Sequence, residues 1–405
     1  MRVSTANSYD NTVSLLARRQ AELAAQQEKI ATGKRVLKPS DDPVAATLAE
    51  TAQNRLSRTQ ADLRSLETAR SSLQQAESGL AESGELIQKV RDLLVSAGNA
   101  TFGPSEREDI ARQLEGLREQ LIGVANLKDN SGRTLFGGLG GAATPFVDLY
   151  GPGGNGVQFS GQRGQAAAGS TSLPQALDGN AIWMRVPQGN GSFSISLGAG
   201  NTGGVSTSVG EVIDPSALTG DNYRIDFADV GGVKQYTVTN LTTPAANPMP
   251  GQTGVAYTSG MTIEFDGQSF QLNGQPAAGD QIDLAPSGKT DIFSVVQGAV
   301  DALRYTGANS SAQRTQELAR ATTELDAGHD RVLLARGRAG EWLNRADSLD
   351  TLLEDRGVDL KEERSRLEDL DLVQGISDFQ TQQLGLEAAL KSYAQVQRLS
   401  LFQII

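Results

Sequence analysis

No cysteine occurs in this chain, which excludes disulfides and thiolate metal sites. Histidine is almost as scarce. His329 stands alone, which leaves almost no room for a His-based catalytic relay or a multi-His metal site. Aromatic residues make up 5% of the chain, so its cores must rest mainly on Leu, Val, Ile and Ala. Net positive charge is missing as well. A formal charge of -12 argues against a nucleic-acid partner held through a basic surface. No apolar run reaches the roughly 18 residues of a membrane span, so no membrane insertion is expected. The opening MRVSTANSYDNTVSLLARRQ lacks the uninterrupted apolar stretch of a cleaved signal peptide, so secretion would need another route.

What the chain does have is heptad patterning at both ends. Tyr9, Val13, Leu16, Gln20, Leu23, Gln27 and Ile30 follow steps of three and four residues. Ile376, Phe379, Gln383, Leu386, Leu390 and Tyr393 do the same, and Val396, Leu399 and Phe402 continue the line. Each series places one apolar seam along a helix, and such a seam needs a partner helix. At about 1.5 Å per residue, both segments run roughly 30–40 Å, so their lengths match. A chain whose ends pair with each other, or with further copies, reads as a building block rather than a catalyst.

Inside these ends, residues up to 129 read as helical apart from two breaks, Lys38-Pro39-Ser40-Asp41-Asp42-Pro43 and Phe102-Gly103-Pro104-Ser105. Proline disfavours helix in the residue before it, while Ser40 or Asp42 can cap the next helix with Pro43 in its first turn. The next seam is Leu66, Ala69, Leu73, Ala76, Leu80, Ser83, Ile87, Val90 and Leu94. Its alternation of large and small residues suits close helix packing. Ile110, Leu114, Leu117, Leu121 and Val124 mark a third helix.

Beyond Asp129 the composition changes to Gly, Asn, Thr and Pro with short alternating runs. Tyr223-Arg224-Ile225-Asp226-Phe227 and Thr262-Ile263-Glu264-Phe265 read as half-buried strands, with Asp266-Gly267 and Asn273-Gly274 as turns. Residues 141–290 hold eleven acidic and five basic side chains. Helical patterning returns with Phe293, Val296, Val300 and Leu303, then with a very long seam from Leu318 to Leu370. Arg356 and Glu363 interrupt that seam, either as an ion pair across an interface or as exposed positions. After Leu370 the heptad phase slips, which predicts a bend or overwinding opposite the proline link.

The fold class expected is mainly α with an inserted β domain, a multidomain α+β chain with nested long helices and a coiled coil formed by both termini. Three domains are predicted: residues 1–42 with 371–405, residues 43–140 with 288–370, and a β-rich outer domain over 141–287. The remaining motifs read as structural. Asp41-Asp42 are helix caps. Asp221, Asp226, Asp229, Asp266, Asp280 and Asp283 lack the spacing of a calcium loop and read as turn residues. Gly151-Pro152-Gly153-Gly154-Asn155-Gly156 lacks the Lys and helix of a phosphate loop. No catalytic residue, metal site or cofactor is expected.

Four segments resemble the flagellin superfamily, in its hook-associated branch. They are Met1-Arg2-Val3-Ser4-Thr5; Ile30-Ala31-Thr32-Gly33-Lys34-Arg35 with the link Pro39-Ser40-Asp41-Asp42-Pro43; Asn130-Ser131-Gly132-Arg133-Thr134-Leu135-Phe136-Gly137-Gly138; and the close from Ala394 to Ile405. Lys38 and Ile404 depart from the family pattern, which commonly has Arg and Tyr there. The resemblance implies an extracellular structural subunit at the junction of flagellar hook and filament. It further implies type III export without a cleaved signal. The partners implied are neighbouring copies in a ring, the hook-proximal junction protein, flagellin and an export chaperone. The assembly interface would be Tyr9, Val13, Leu16, Leu23, Ile30, Ile376, Phe379, Leu386, Leu390, Tyr393, Val396, Leu399 and Phe402. Pro39 to Pro43 would be the interdomain link. A filament flagellin is the alternative. A secreted adhesin, or a glycan-acting protein stacking sugars on Trp183 and Tyr223, is a more distant one.

Overall fold

A computed structural model of the chain describes residues 5–99, 101–149, 156–168, 173–247 and 249–401. Its helices are α1 (Thr5–Thr32), α2 (Pro43–Ala97), α3 (Pro104–Ala125), the short α4 (Gly179–Trp183), α5 (Ile292–Arg304), α6 (Ser310–Glu368) and α7 (Leu372–Leu401). The chain folds as two compact units, Met1–Arg64 with Ser348–Ile405 and Ser65–Asp347. It is mainly helical with an inserted β region, as its periodicity predicts.

In the terminal unit, α1 ends because Gly33 takes a positive φ of 70°, a left-handed conformation that stops a helix at little cost for glycine. The link that follows is built by its two aspartates. Asp41 Oδ2 accepts hydrogen bonds from the backbone N–H groups of Leu37 at 3.1 Å and Lys38 at 3.0 Å. Asp42 Oδ1 accepts from Ala45 N at 3.0 Å, and Pro43 opens α2, an N-cap followed by proline in the first turn. The phase slip after Leu370 produces more than the expected bend. The helix is interrupted between Glu368 and Leu372. The cause is a backbone exchange with the link: Arg35 N donates to Glu368 O at 2.7 Å and Leu370 N to Gly33 O at 2.9 Å. Asp371 then restarts helix by accepting from Val373 N at 3.0 Å. The two breaks in the chain therefore satisfy one another.

In the inner unit the seam of α2 is buried throughout, with Ala69, Leu80, Ser83 and Val90 at 0% exposure. It shares one core with α3, α5 and α6, and α5 buries apolar residues on nearly every side: Ile292, Phe293, Val295, Val296, Ala299, Val300, Ala302 and Leu303. A helix apolar all round belongs in a core. Asp291 caps it, accepting from Ser294 N at 2.8 Å.

The β region opens with β1 (Phe146–Asp148), β2 (Val157–Phe159), β3 (Ala166–Ala168) and β4 (Leu173–Ala176) in two antiparallel hairpins. After α4 come β5 (Val186–Pro187), β6 (Phe193–Leu197), β7 (Ser206–Thr207), β8 (Glu211–Val212), β9 (Tyr223–Val230), β10 (Val233–Asn240), β11 (Val255–Ala256), β12 (Met261–Phe265), β13 (Gln268–Asn273), β14 (Gln281–Pro286) and β15 (Lys289–Thr290). One sheet has the order β11-β10-β9-β14-β6, and a second has β12-β13-β7 with β8 also on β13. The hairpin β12–β13 turns on Asp266 and Gly267, both at positive φ, the geometry a two-residue turn of this twist requires. The sequence marks that turn; it does not single out the equivalent Gly231-Gly232 turn between β9 and β10.

This region packs in two ways. Residues 193–284 form a second core with Ala312 of α6, including Phe193, Ile225, Val238, Phe270 and Leu284. Residues 146–186 instead send Phe146, Val157, Trp183 and Val186 into the helical core. There Trp183 meets Phe136 edge-on at 4.6 Å and Phe146 at 5.4 Å. Arg118, buried on α3, clamps the first hairpin by pairing both Nη atoms with Asp148 at 2.7 and 2.8 Å.

Candidate assembly interface

The terminal helices α1 and α7 pack on each other antiparallel. Lys34 bridges Asp369, Gln26 Nε2 donates to Gly375 O at 3.2 Å, and the Arg19 guanidinium lies against Gly385. The seam positions of the sequence fall on this pair, but the pair does not bury them. Leu16, Leu23, Ile30, Phe379, Leu386 and Tyr393 are half-buried. Val13, Ile376 and Leu390 are exposed at 42%, 46% and 44%. Tyr9, Val396 and Leu399 sit on the two helices with side chains outside the described residues, as does Phe402 entirely. Among the described residues of α1 and α7, only Gly375 is buried. Two helices have one mutual seam, and every side chain off that seam faces water. Leu15, Leu372 and Leu384, which the heptad reading did not select, are also exposed, and Val373 at the phase slip is 82% exposed. Their signal in the sequence was present as apolar residues at off-seam positions.

The link residues Pro39, Ser40, Asp41 and Pro43 are exposed and Asp42 is half-buried. Backbone hydrogen bonds, first from Lys38 and then from Leu37, hold the Asp41 carboxyl below the usual carboxylate range. Asp42 is lowered first by the Ala45 N–H and then by Arg35, whose Nη1 lies 3.1 Å from it. Lys34 Nζ pairs with Glu368 at 2.9 Å across the two breaks. These groups fix a backbone path, and their carboxylates are occupied by it.

Other candidates resolve the same way. Trp183 and Tyr223 are 0% and 2% exposed, so neither can stack on a sugar, and the glycan-acting alternative loses its residues. Asp280 accepts from the backbone N–H groups of Thr202, Gly203 and Ala277; Asp266 accepts from Thr219. Asp221 accepts from Asn240 and Thr243. Asp226 accepts from Gln281, Asp229 pairs with Lys234, and Asp283 pairs with Arg224. His329 is half-buried against Gly84 of α2. Arg356 is exposed and Glu363 half-buried. The glycine-rich run lies outside the described residues apart from Gly156.

Sequence reasoning missed Asp129, which organises the motif from Asn130 to Gly138. Its Oδ1 accepts from Ser131 N, Ser131 Oγ and Arg133 N at 2.9, 2.6 and 2.9 Å. Burial pushes this carboxyl up, but the bonds from Ser131 and Arg133 outweigh it and leave it lowered.

The chain thus has a long-helix bundle with an inserted β region, and termini that pair without being buried. The model of the bacterial flagellin N-terminal helical region matches residues 3–140. Over its whole length the chain is similar to flagellar hook-associated protein 3 of Escherichia coli, 27% identical across 100% of this chain and 99% of that protein. The flagellin of Bacillus subtilis matches only 34% of the chain, at 24% identity. In three dimensions the fold is similar to flagellar hook-associated protein 3 of Legionella pneumophila. That match has a TM-score of 0.69 at 26% identity and covers 78% of this chain and 99% of that one. The chain is thus a flagellin-like structural component of the bacterial flagellum, related end to end to hook-associated protein 3.

Proposed function

We propose that this chain is a structural subunit at the junction between flagellar hook and filament, assembled through its terminal helices. The observation that carries this reading is the pair α1–α7, which keeps Val13, Ile376, Leu384 and Leu390 exposed. Burying a Leu or Ile contributes about 1.5–3 kcal/mol, so neighbouring copies gain by covering these side chains. Apolar patches of this kind mark interaction surfaces. On this reading residues 1–42 with 371–405 form the assembly domain, 43–140 with 288–370 the bundle, and 141–287 the outer part. The neighbours are further copies, the hook-proximal junction protein and the first flagellin subunits. The chain leaves the cell by type III export, with a chaperone covering the C-terminal seam. No catalytic role is assigned to it. The end-to-end relationship supports a junction subunit over a filament flagellin, because the flagellin match stops at about a third of the chain.

The test is deletion of the gene. Hooks without filaments, with flagellin released to the medium, are expected, and the full chain supplied in trans restores filaments. Normal filaments on the deletion strain overturn the proposal. Long filaments grown by the purified chain alone would favour flagellin.

A further inference from the structure

Helix α6 brings Arg331, Leu334, Arg338 and Trp342 to one stripe, at steps of three or four residues. The stripe faces Asp178 and Ala181 at the start of α4 across a recess of about 230 Å³. Most arginines of the inner unit have carboxylate partners: Arg70 has Asp347, Arg91 has Asp326, Arg336 has Glu77, and Arg304 has Glu108 and Glu115. Of the described arginines, Arg331 and Arg338 at this recess are among those without one, as is Arg107, which donates to the Phe102 carbonyl. Among the described residues no carboxylate forms an ion pair with Arg185, Arg331 or Arg338. Arg331 Nη2 donates to Ala181 O, while its Nε is buried with no acceptor. Burial first, then Arg185 and Arg338, push the Arg331 guanidinium down. The recess has one carboxylate of its own, Asp178. It is committed to the backbone, accepting from Ala181 N at 3.2 Å and Gly164 N at 2.9 Å. Two guanidinium groups lining the recess, with Arg185 close enough to act on Arg331, face that single carboxylate; this leaves an excess of positive charge and a buried donor without an acceptor, which is costly unless an anion arrives.

We propose that this recess is a carboxylate site that receives an Asp or Glu side chain from a neighbouring copy of the chain, held by Arg331 and Arg338 beside Trp342. Arginine presents a planar fork of donors that matches a carboxylate. The recess is smaller than the 300–1,000 Å³ or so of small-molecule pockets, and suits one side chain. A neighbouring copy is the occupant that charge favours, since the chain carries 48 acidic and 36 basic residues. Leu334, 59% exposed, adds apolar surface beside the two arginines that a partner can cover. The choice of a copy of this chain rests on the junction-subunit reading; the carboxylate chemistry does not.

Two measurements test it. The first uses the purified full chain, glutarate as probe and tryptophan fluorescence, because Trp342 lines the recess and Trp183 is 0% exposed. A saturable change with glutarate, none with neutral glutaramide, and loss of the signal in Trp342→Phe are expected. Arg338→Gln, at an exposed position without an ion pair, should bind glutarate at least about tenfold more weakly with its circular dichroism unchanged. An equal response to glutaramide, no response to glutarate, or undiminished binding by Arg338→Gln overturns the site. The second supplies wild type or Arg338→Glu to the deletion strain. The variant is expected in the medium at wild-type amount but with at least about tenfold fewer filaments. Acid-to-Lys or acid-to-Arg changes elsewhere in the same chain should restore them. If wild type itself restores no filaments, the junction reading fails. If Arg338→Glu attaches filaments as wild type does, or no same-chain suppressor arises, the neighbouring copy is the wrong occupant.

Discussion

The terminal helices α1 and α7 and the inner stretch of α2 from Leu66 to Leu94 carry apolar periodicity of the same kind, yet they end in opposite conditions. Along α2, Leu66, Leu73, Leu80 and Ile87 are at most 2% exposed. Along α7, Phe379 and Leu386 are half-buried and Ile376 and Leu390 are open. The difference is the number of neighbours. Each inner helix has several partners, and the first β-hairpin and α4 supply Phe146 and Trp183 to close the gap between them. A two-helix pair has one contact line. Periodicity therefore says which face seeks burial, and the count of surrounding elements says whether the monomer can provide it.

The largest expected effect would break this contrast on the terminal side. Leu386→Asp puts a charge on the seam of α7, where a buried and unpaired charge is strongly unfavourable. Filament attachment should be lost, with export of the variant and the circular dichroism of the inner unit unchanged. Normal filaments on such cells would remove α7 from the interface.

Next in size is a cut into the inner core. Trp183→Ala removes a fully buried ring that touches Phe136 and Phe146 and should cost about 3–5 kcal/mol. Urea unfolding of the full chain measures it. A loss near zero would mean that the hairpins and α4 are not integral to the helical core. Then replacement of residues 145–284 by a short linker would spare the helices; with the expected loss, residues 146–186 must be kept.

Hydrogen exchange sharpens the comparison without mutation. Amides of α1 and α7 should exchange at least about a hundredfold faster than those of α2 near Leu80 and of α5 near Val296. Equal protection in a verified monomer would show that the terminal pair is as stable as the core.

The smallest effect is that of acid. Asp41 and Asp42 are lowered from 3.8, so their contribution to the link is present above about that value and lost as pH falls through the lowered ones. Asp291, Glu317 and Glu324 in the inner unit are raised by burial. Their contribution runs the other way: fully present below the ordinary values, lost as pH rises through the raised ones. Acidification below about pH 3.8 should therefore lower protection, measured against the intrinsic exchange rate at each pH, at the amides of Leu37, Lys38 and Ala45, which donate to the link carboxylates. Asp42→Asn should weaken the response at Ala45, and an unchanged pH profile there would count against the cap.

Much of this was legible in the residues. The proline link placed Pro43 in the first turn of the next helix, and α2 begins at that residue. Asp266-Gly267 located a hairpin turn that only residues tolerant of positive φ can make. The interruption after Glu368 was visible only as a phase slip, because what breaks the helix is a set of backbone bonds to Gly33 and Arg35, more than three hundred residues away in sequence. The unpaired arginines beside Trp342 were not legible. Arg331 and Arg338 look like any solvent face of a helix until α4 is laid across them.

By itself the sequence determined the classes of chemistry open to this protein, the periodic faces of its helices and the order of helix, strand and helix along the chain. These depend on composition and on spacings of a few residues, and short-range stereochemistry settles them. Tertiary structure alone decided that residues 146–186 belong to the helical core, that Trp183 and Tyr223 are closed to ligands, and that the terminal seams stay partly in water. Each of those depends on how many surfaces meet at one place, which spacing along a chain does not encode.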